Sequence, residues 1–229
     1  MGGLSSWVRR LSASEQVVRS DTLAPLKDGH GRFHNYLRMS LTEKCNFRCE
    51  YCMPAEGVQL TPKKELMSLE ERKRTLALFT DLGVTKIRFT GGEPTLSKDL
   101  EELIRFAKSR PGVTSVSMTT NGFHLKEKIA ALREAGLDSV NISLDTLQED
   151  KFATLTRRRG NALRKVLAAI YAAKAADVPQ VKINCVLMGG VNEDEVADFL
   201  HLGKEAEVDV RFIEFMPFSG NKWEDKKQL

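Results

Sequence analysis

The chain has 229 residues, of which 41% are hydrophobic and 29% charged, as is typical of a soluble globular protein with a sizeable core. The formal net charge is +4, a mild excess that suits an anionic small molecule as well as a nucleic acid and so selects neither. The apolar runs are far too short to cross a membrane, so no transmembrane helix is predicted.

The first twelve residues contain two arginines, three serines and no acidic residue, and their apolar side chains could share one helical face. This composition resembles a mitochondrial presequence, and a disordered tail is the alternative. We therefore predict a flexible segment over residues 1–30, with a candidate targeting sequence, followed by one core domain over 31–229.

Short β-rich runs alternate with helical stretches from about residue 36. The predicted strands cover 36–41, 86–90, 113–120, 138–145, 181–188 and 209–216. The predicted helices cover 69–82, 97–109, 125–136, 161–176 and 192–207. Ser68 with Glu71, and Asn192 with Glu195, have the spacing of capping boxes at two helix starts. Strands joined by helical crossovers predict an α/β fold with a parallel sheet or barrel.

The strands also alternate between apolar and polar side chains. The polar members of the alternation are Arg38, Ser40, Arg88, Thr90, Ser117, Thr119, Asn121, Asn141, Ser143, Asp145, Lys182 and Asn184. An ordinary eight-stranded barrel fills its interior with branched apolar side chains, whereas here the apolar faces would pack against the helices. We predict a partial (β/α)6 TIM-like barrel with a polar lumen, in which a polar ligand would satisfy the buried groups.

Three of the four cysteines, Cys45, Cys49 and Cys52, lie within eight positions after the first predicted strand. Such clustering indicates metal ligation rather than a disulfide framework. Three thiolates on one loop suit a [4Fe–4S] cluster whose fourth iron stays open. Structural zinc is the rival and needs a fourth ligand, for which His34 is the nearest histidine. Cys185 falls on an apolar strand face and is predicted to be a core residue.

The CxxxCxxC spacing, with Tyr51 before the last cysteine and GGEP at 91–94, resembles the radical S-adenosylmethionine (SAM) superfamily. Over about residues 31–225 the chain also resembles the GTP 3',8-cyclase family of molybdenum cofactor biosynthesis. Its sequence is closer to the animal forms of that family than to the bacterial ones. The resemblance is carried by LRMSLTEKCNFRCEYCMP, KIRFTGGEPTL, TTNG, VNISLDTL, VKINCVLMGGVNEDE and DVRFIEFMPFSGNKW.

This resemblance implies a [4Fe–4S] cluster and SAM as cofactors, and a lyase in which a 5'-deoxyadenosyl radical abstracts H3' from GTP before the ribose carbon attacks C8 of guanine. It identifies no individual catalytic residue. The residues matching cluster ligands are Cys45, Cys49 and Cys52. Those matching SAM contacts are Tyr51, Gly92, Ser143 and Met216. Those matching GTP contacts are Arg38, Arg88, Thr119 and Lys182.

The resemblance also implies GTP as a small-molecule substrate, an electron donor, and a mitochondrial matrix location or otherwise a cytoplasmic one. It implies no nucleic-acid or membrane partner and allows a homodimer. Independently of it, the cations at the predicted GTP contacts suit triphosphate oxygens, with internal ion pairs to Asp145 or Glu214 as the alternative. The run Arg157–Arg159 faces either solvent or phosphate.

Members of the cyclase family continue with a second three-cysteine cluster and an arginine pair that grips GTP, and this sequence contains no match to that region. We therefore expect the chain to bind SAM, to bind GTP weakly and to cyclise it little. The alternatives are another radical SAM enzyme with an auxiliary cluster, acting on a peptide or a tetrapyrrole, and a non-catalytic iron–sulfur docking protein.

Overall fold

The computed structural model describes residues 26–216, which contain six strands and, between them, six α-helices. The strands are β1 (Tyr36–Ser40), β2 (Lys86–Thr90), β3 (Ser115–Thr120), β4 (Ser139–Ser143), β5 (Gln180–Leu187) and β6 (Asp209–Glu214). The helices are α1 (Leu69–Asp81), α2 (Leu100–Ser109), α3 (Leu125–Glu134), α4 (Glu149–Thr156), α5 (Ala162–Ala175) and α6 (Val196–Ala206). The candidate targeting sequence lies outside the described residues.

All six strands are parallel, and their order in the sheet is their order along the chain. Parallel neighbours require a crossover connection, which the helices provide after each strand except the last. Strands β1 and β6 form the two edges of the sheet. The predicted α/β fold, a partial TIM-like barrel with six parallel strands, is confirmed.

The apolar face of the sheet packs against the helices and forms one hydrophobic core. Its completely buried strand residues include Ile87, Phe89, Val116, Met118, Val140, Ile142, Ile183 and Cys185. Full burial of one large aliphatic or aromatic side chain stabilises a fold by roughly 1.5–3 kcal/mol, so this layer is the main stabilising element. The prediction of Cys185 as a core residue is confirmed, because its side chain is completely buried.

The opposite face of the sheet carries the predicted polar side chains, aligned across strands by the register. Arg38 is opposite Arg88, and Arg88 is opposite Ser117. Asn141 is opposite Lys182. Parallel strands in register therefore bring side chains distant in sequence into neighbouring rows on one face.

One predicted helix start is confirmed, and one helix was not predicted. The capping box of α1 is present, with the Glu71 amide donating to Ser68 Oγ at 3.3 Å and the Ser68 amide donating to Glu71 Oε2 at 2.7 Å. Helix α4 was not predicted, because it is short and no side-chain cap marks its start. Its burial of Phe152 and Leu155 holds it in place through tertiary packing.

Asn192 occupies the N-cap position of a short 3-10 turn, Glu193–Glu195, that leads into α6, but its predicted side-chain capping is wrong. Helix α6 begins at Val196, and the Asn192 side chain makes no cap hydrogen bond. Its Nδ2 instead donates to Asp145 O at 2.7 Å and to Val186 O at 2.8 Å. The buried carboxylate of Glu195 accepts from Thr146 Oγ1 at 2.7 Å. Both residues therefore tie the chain that follows β5 to the chain that follows β4.

Of the helices in the described range, none combines the length and apolar character needed to cross a membrane.

Candidate functional site

The cysteine loop follows the carboxyl end of β1. Cys45 and Cys49 are partly buried, Cys52 is more exposed, and all three thiols are free. The three thiols are close enough to influence one another electrostatically. The Phe47 amide donates to Cys45 Sγ at 3.4 Å and the Cys52 amide donates to Cys49 O at 3.0 Å. The loop therefore presents three sulfur donors from one compact turn.

Burial raises the pKa of each of the three thiols, so the protein surroundings by themselves keep them protonated. A thiolate is the form that ligates metal, and the positive charge of a bound metal would stabilise the thiolates that burial disfavours. Within residues 26–216, no three His, Cys, Asp or Glu side chains are arranged to hold a single metal ion. His34, the proposed fourth zinc ligand, faces Asp28, with Nε2 3.7 Å from Oδ2. The three cysteines therefore fit a cluster in which each thiolate binds a separate metal atom better than they fit one zinc ion.

The helix that the sequence failed to reveal, α4, supports the cysteine loop. The Arg48 amide donates to Thr156 O at 3.0 Å, and the Glu50 amide donates to Leu155 O at 2.9 Å. Next to this helix end, the Arg157 guanidinium donates to Arg48 O at 3.1 Å. The backbone of the loop is thereby held against the carboxyl end of α4.

Tyr51 links the cysteine loop to the end of β4. Its hydroxyl donates to Asp145 Oδ2 at 2.6 Å, and the Val186 amide donates to the other oxygen at 2.9 Å. Burial raises the pKa of Asp145 to about 6 and the pKa of Tyr51 well above its ordinary value. Asp145 was predicted only as a polar strand residue or an ion-pair partner, and its role as the anchor of Tyr51 was missed.

The GGEP turn approaches the cysteine loop closely. The Gly92 amide donates to Thr42 O at 2.6 Å, and the Glu93 amide donates to Lys44 O at 2.7 Å. A Cβ on Gly92 would come within 2.6 Å of Glu43 O, a distance that side chains do not tolerate. The turn therefore needs glycine at this position, because the two backbones touch.

Glu93 joins the loops that follow β1, β2 and β3. The carboxylate is completely buried and accepts from Thr120 Oγ1 and from the Asn121 amide, both at 2.7 Å. Asn121 Nδ2 in turn donates to Asn46 Oδ1 at 2.8 Å and lies 3.8 Å from Cys45 Sγ. Sequence reasoning treated the two motifs GGEP and TTNG separately, and their hydrogen bonding to each other became visible only in the fold.

Four cations lie close together on the polar face of the sheet, with the exposed Lys86 farther along β2 on the same face. Arg38, Arg88 and Lys182 were predicted, and Arg211 on β6 was missed. Burial, with the nearby charges of Arg38 and Arg211, lowers the pKa of Arg88. Burial, with the charges of Arg211 and Arg88, also lowers the pKa of Lys182, and the charge of Asp209, opposite it on β6, offsets only part of this shift. The Arg88 guanidinium donates to Ser117 Oγ at 3.2 Å, and in the described part of the chain none of the four cations forms an ion pair.

The alternative of internal ion pairs with Asp145 or Glu214 is therefore not observed, since Asp145 binds Tyr51 instead. Two amides on the same polar face also lack partners. Neither amide atom of Asn141, which is 1% exposed, has a hydrogen-bond partner, and Asn184 Oδ1 has none. An unsatisfied buried polar group costs roughly 1–3 kcal/mol, which a polar ligand on this face would offset.

Three further residues were predicted to contact SAM or GTP. Thr119 and Ser143 are half-buried on the polar face, opposite Asn141 and Asn184 respectively. Met216, the last described residue, is 74% exposed. Their roles as SAM or GTP contacts stay predictions.

Comparison with known proteins agrees with this geometry. The family model described as the radical SAM superfamily matches residues 39–203. A relative from Arabidopsis thaliana named "GTP 3',8-cyclase, mitochondrial" is 52% identical over 213 residues, covering 93% of this chain and 54% of the relative. Molybdenum cofactor biosynthesis protein 1 of Drosophila melanogaster is 49% identical over 222 residues, covering 97% of this chain and 38% of the relative. The chain thus spans about half, or less, of the length of these relatives.

Among solved structures, Streptococcus suis SuiB bound to S-adenosylmethionine aligns with a TM-score of 0.67 at 20% identity, covering 85% of this chain and 44% of SuiB. At that identity the likeness concerns the fold alone. The family model covers well over half of the chain and includes both the cysteine loop and the GGEP turn. The chain belongs to the radical SAM superfamily.

Proposed function

We propose that the chain forms the cofactor-binding core of a GTP 3',8-cyclase, which converts GTP to (8S)-3',8-cyclo-7,8-dihydroguanosine 5'-triphosphate in the first step of molybdenum cofactor biosynthesis. The name of the Arabidopsis relative, at 52% identity, supports this activity. The structural observation that carries the proposal is the set of four unpaired cations on the polar face. A site for an uncharged or cationic substrate would gain nothing from such a concentration of positive charge.

The cofactors of the proposed enzyme are a [4Fe–4S] cluster and SAM. Cys45, Cys49 and Cys52 would hold three irons of the cluster, and three protein ligands leave the fourth iron for SAM. The cluster and SAM, when bound, supply a one-electron cleavage that removes a hydrogen atom from the substrate. The residues proposed to contact SAM are Tyr51, Gly92, Ser143 and Met216.

The chain's own part in substrate binding is charge neutralisation and orientation. Arg38, Arg88 and Lys182 would bind the triphosphate oxygens, with the newly found Arg211 beside them and with Thr119 on the same face. These cations repel one another in the ligand-free protein. Binding of a polyanion removes this unfavourable electrostatic energy and is favoured by it. The unpaired amide of Asn141 would hydrogen-bond a polar group of the bound ligands.

The test is anaerobic reconstitution with iron and sulfide, followed by assays for 5'-deoxyadenosine and for the cyclised nucleotide, with dithionite as reductant. We expect a brown protein that binds about four irons per chain, since that is the content of one [4Fe–4S] cluster, and that cleaves SAM. A Cys49→Ala variant should lose iron and SAM cleavage. A colourless wild-type protein without iron would contradict the proposal.

Cys185→Ala is the matched control. Cys185 is equally a free cysteine, but it is buried in the apolar core and takes no part in the loop. This variant should retain the iron content and the SAM cleavage of the wild type. Equal losses in both cysteine variants would indicate a general folding defect instead of lost ligation.

The reaction also requires a one-electron donor, which we include in the proposal. We further propose a mitochondrial location, supported by the name of the Arabidopsis relative. Fractionation of cells that express the full-length protein tests the location. A homodimer is a further expectation, which sedimentation of the reconstituted protein tests.

A further inference from the structure

A concentration of positive charge lies beside the cysteine loop, around the ring of Phe123. Two adjoining cavities, of about 580 and 350 Å³, share Phe123 and Asn161 in their walls. We call the cations that line them the arginine surface. Its members are Lys126, Arg157, Arg158, Arg159, Arg164 and Lys165.

Most of this charge is not neutralised by the protein. Arg158 Cζ lies 5.0 Å and Lys165 Nζ 4.3 Å from the centroid of the Phe123 ring, distances at which cations interact with an aromatic face. Over residues 26–216, neither Arg158 nor Lys165 forms an ion pair, and the same holds for Arg159 and Lys126. Glu50 and Glu127 also line the cavities, and Arg157 and Arg164 pair with Glu50 and Glu149. The six cations outnumber these three carboxylates, so the arginine surface still presents net positive charge to an approaching partner.

The surface is in packed contact with the loop that carries the cluster ligands. The rings of Phe123 and Phe47 meet edge to face, with centroids 5.8 Å apart. The Phe47 amide donates to Cys45 Sγ, and Arg157 donates to the loop carbonyl of Met53 at 3.1 Å. A continuous path of packed atoms thus runs from Cys45 through the two rings to the arginine surface.

We propose that the arginine surface docks an acidic protein that carries one electron to the cluster. The inference rests on the proposed function, because only the radical SAM reaction requires that electron. In this step the carrier would be oxidised by one electron, which would pass to the [4Fe–4S] cluster that Cys45, Cys49 and Cys52 would hold. No bond is made or broken.

The shape of the surface favours a protein partner over a small anion. Arg158 and Lys165 are committed to the ring of Phe123, and Arg157 to the carbonyls of the cysteine loop, so the cations do not converge on one point. A spread of like charge is the arrangement that steers a complementary protein surface and raises its rate of association. Encounters between electron-transfer proteins are commonly small and weak, which fits an open surface of this kind.

The test compares two reductants on the reconstituted chain. Reduced flavodoxin, an acidic protein that carries FMN, serves as the protein donor, and dithionite as the small donor. In the double variant Arg158→Glu/Arg159→Glu, flavodoxin-driven formation of 5'-deoxyadenosine should fall at least tenfold at low salt. Dithionite-driven formation should change less than twofold. Stopped-flow absorbance of the flavin should show the same slowing of electron transfer without any need for turnover.

The matched control is Arg74→Glu/Lys204→Glu, which makes the same change in net charge at exposed positions on α1 and α6. It should leave both reductants effective. A variant that keeps flavodoxin-driven reduction, or that loses both activities equally, would overturn the docking site. Absence of dithionite-driven SAM cleavage in the wild type would instead contradict the proposed function on which the inference rests.

Discussion

Asp145 connects three segments at the carboxyl end of the sheet. Its carboxylate accepts from the Tyr51 hydroxyl and the Val186 amide, while its carbonyl accepts from Asn192. Tyr51 is 94 residues away in the sequence, so the contact depends entirely on the placement of the cysteine loop. A buried carboxylate with a pKa of about 6 is stabilised in its charged form mainly by such donors.

Replacing Asp145 by alanine should destabilise the protein by about 1–3 kcal/mol, because the Tyr51 hydroxyl and the Val186 amide would lose a buried acceptor. Asp145→Asn should recover most of that loss, since an amide oxygen can still accept from Val186. Anaerobic thermal melting at equal cluster loading measures the difference. Equal melting temperatures for the alanine variant and the wild type would contradict this account.

Gly92→Ala should disrupt the contact between the GGEP turn and the cysteine loop, because the new Cβ would collide with backbone oxygens of the loop. We expect at least a tenfold loss in SAM affinity together with a lower melting temperature. Gly29→Ala is the control, since a Cβ there meets no atom within 4 Å. Equilibrium dialysis with labelled SAM on the reconstituted protein measures the affinity, and an unchanged value in Gly92→Ala would refute the prediction.

Helix α4 is the element whose position matters most for the cysteine loop. Its last residues accept hydrogen bonds from the loop, and the rings of Phe152 and Phe47 meet edge to face at 5.8 Å. The helix has only eight residues, so it depends on this packing more than on its own propensity. The loop and the helix therefore stabilise each other.

Phe152→Leu should cost about 1 kcal/mol of stability and should also speed the loss of iron from the reconstituted protein, because the cysteine loop loses an aromatic contact. Phe199→Leu is the matched change in the core between α6 and β6, where the ring meets Phe212 at 6.2 Å. It should reduce stability comparably and leave iron retention unchanged. The rate of iron release to a chelator measures retention, and equal rates in the two variants would contradict a specific role for α4.

The whole molecule combines a strongly apolar layer with a charged open face. The four cations on that face repel one another, and the apolar core beneath the sheet offsets this unfavourable term. Sites that are built for a ligand commonly carry such a cost in the ligand-free protein.

Lys182→Met should raise the melting temperature without GTP and weaken GTP binding. The folded protein lowers the pKa of Lys182, so the charged form is unfavourable at neutral pH, and this penalty disappears as the pH rises toward the ordinary lysine value. The gain in stability should therefore be largest near pH 7. Lys128→Met, at an exposed position on α3, should change neither property. Melting curves at several pH values and calorimetric GTP titrations test both halves.

Short-range patterns predicted the alternation of strands and helices, the capping box at Ser68 and the position of the cysteine loop. They succeeded because each depends on residues within a few positions of one another. They failed at α4, which lacks a side-chain cap, and at Asn192, whose side-chain amide donates to Asp145 O after β4 and to Val186 O in β5 instead of capping a helix. Local preference was overridden in both cases by a tertiary contact.

The amino-acid sequence by itself determined the cysteine spacing, the glycine turn and the polar strand face, because these are properties of chemical type and period. Only the tertiary structure decided that Asp145 holds Tyr51, that Glu93 reaches Asn121, and that Arg211 joins the other cations. The physical reason is that such contacts depend on the register of parallel strands and on the side of the sheet that each loop reaches. Neither is specified by the spacing of residues along a single segment.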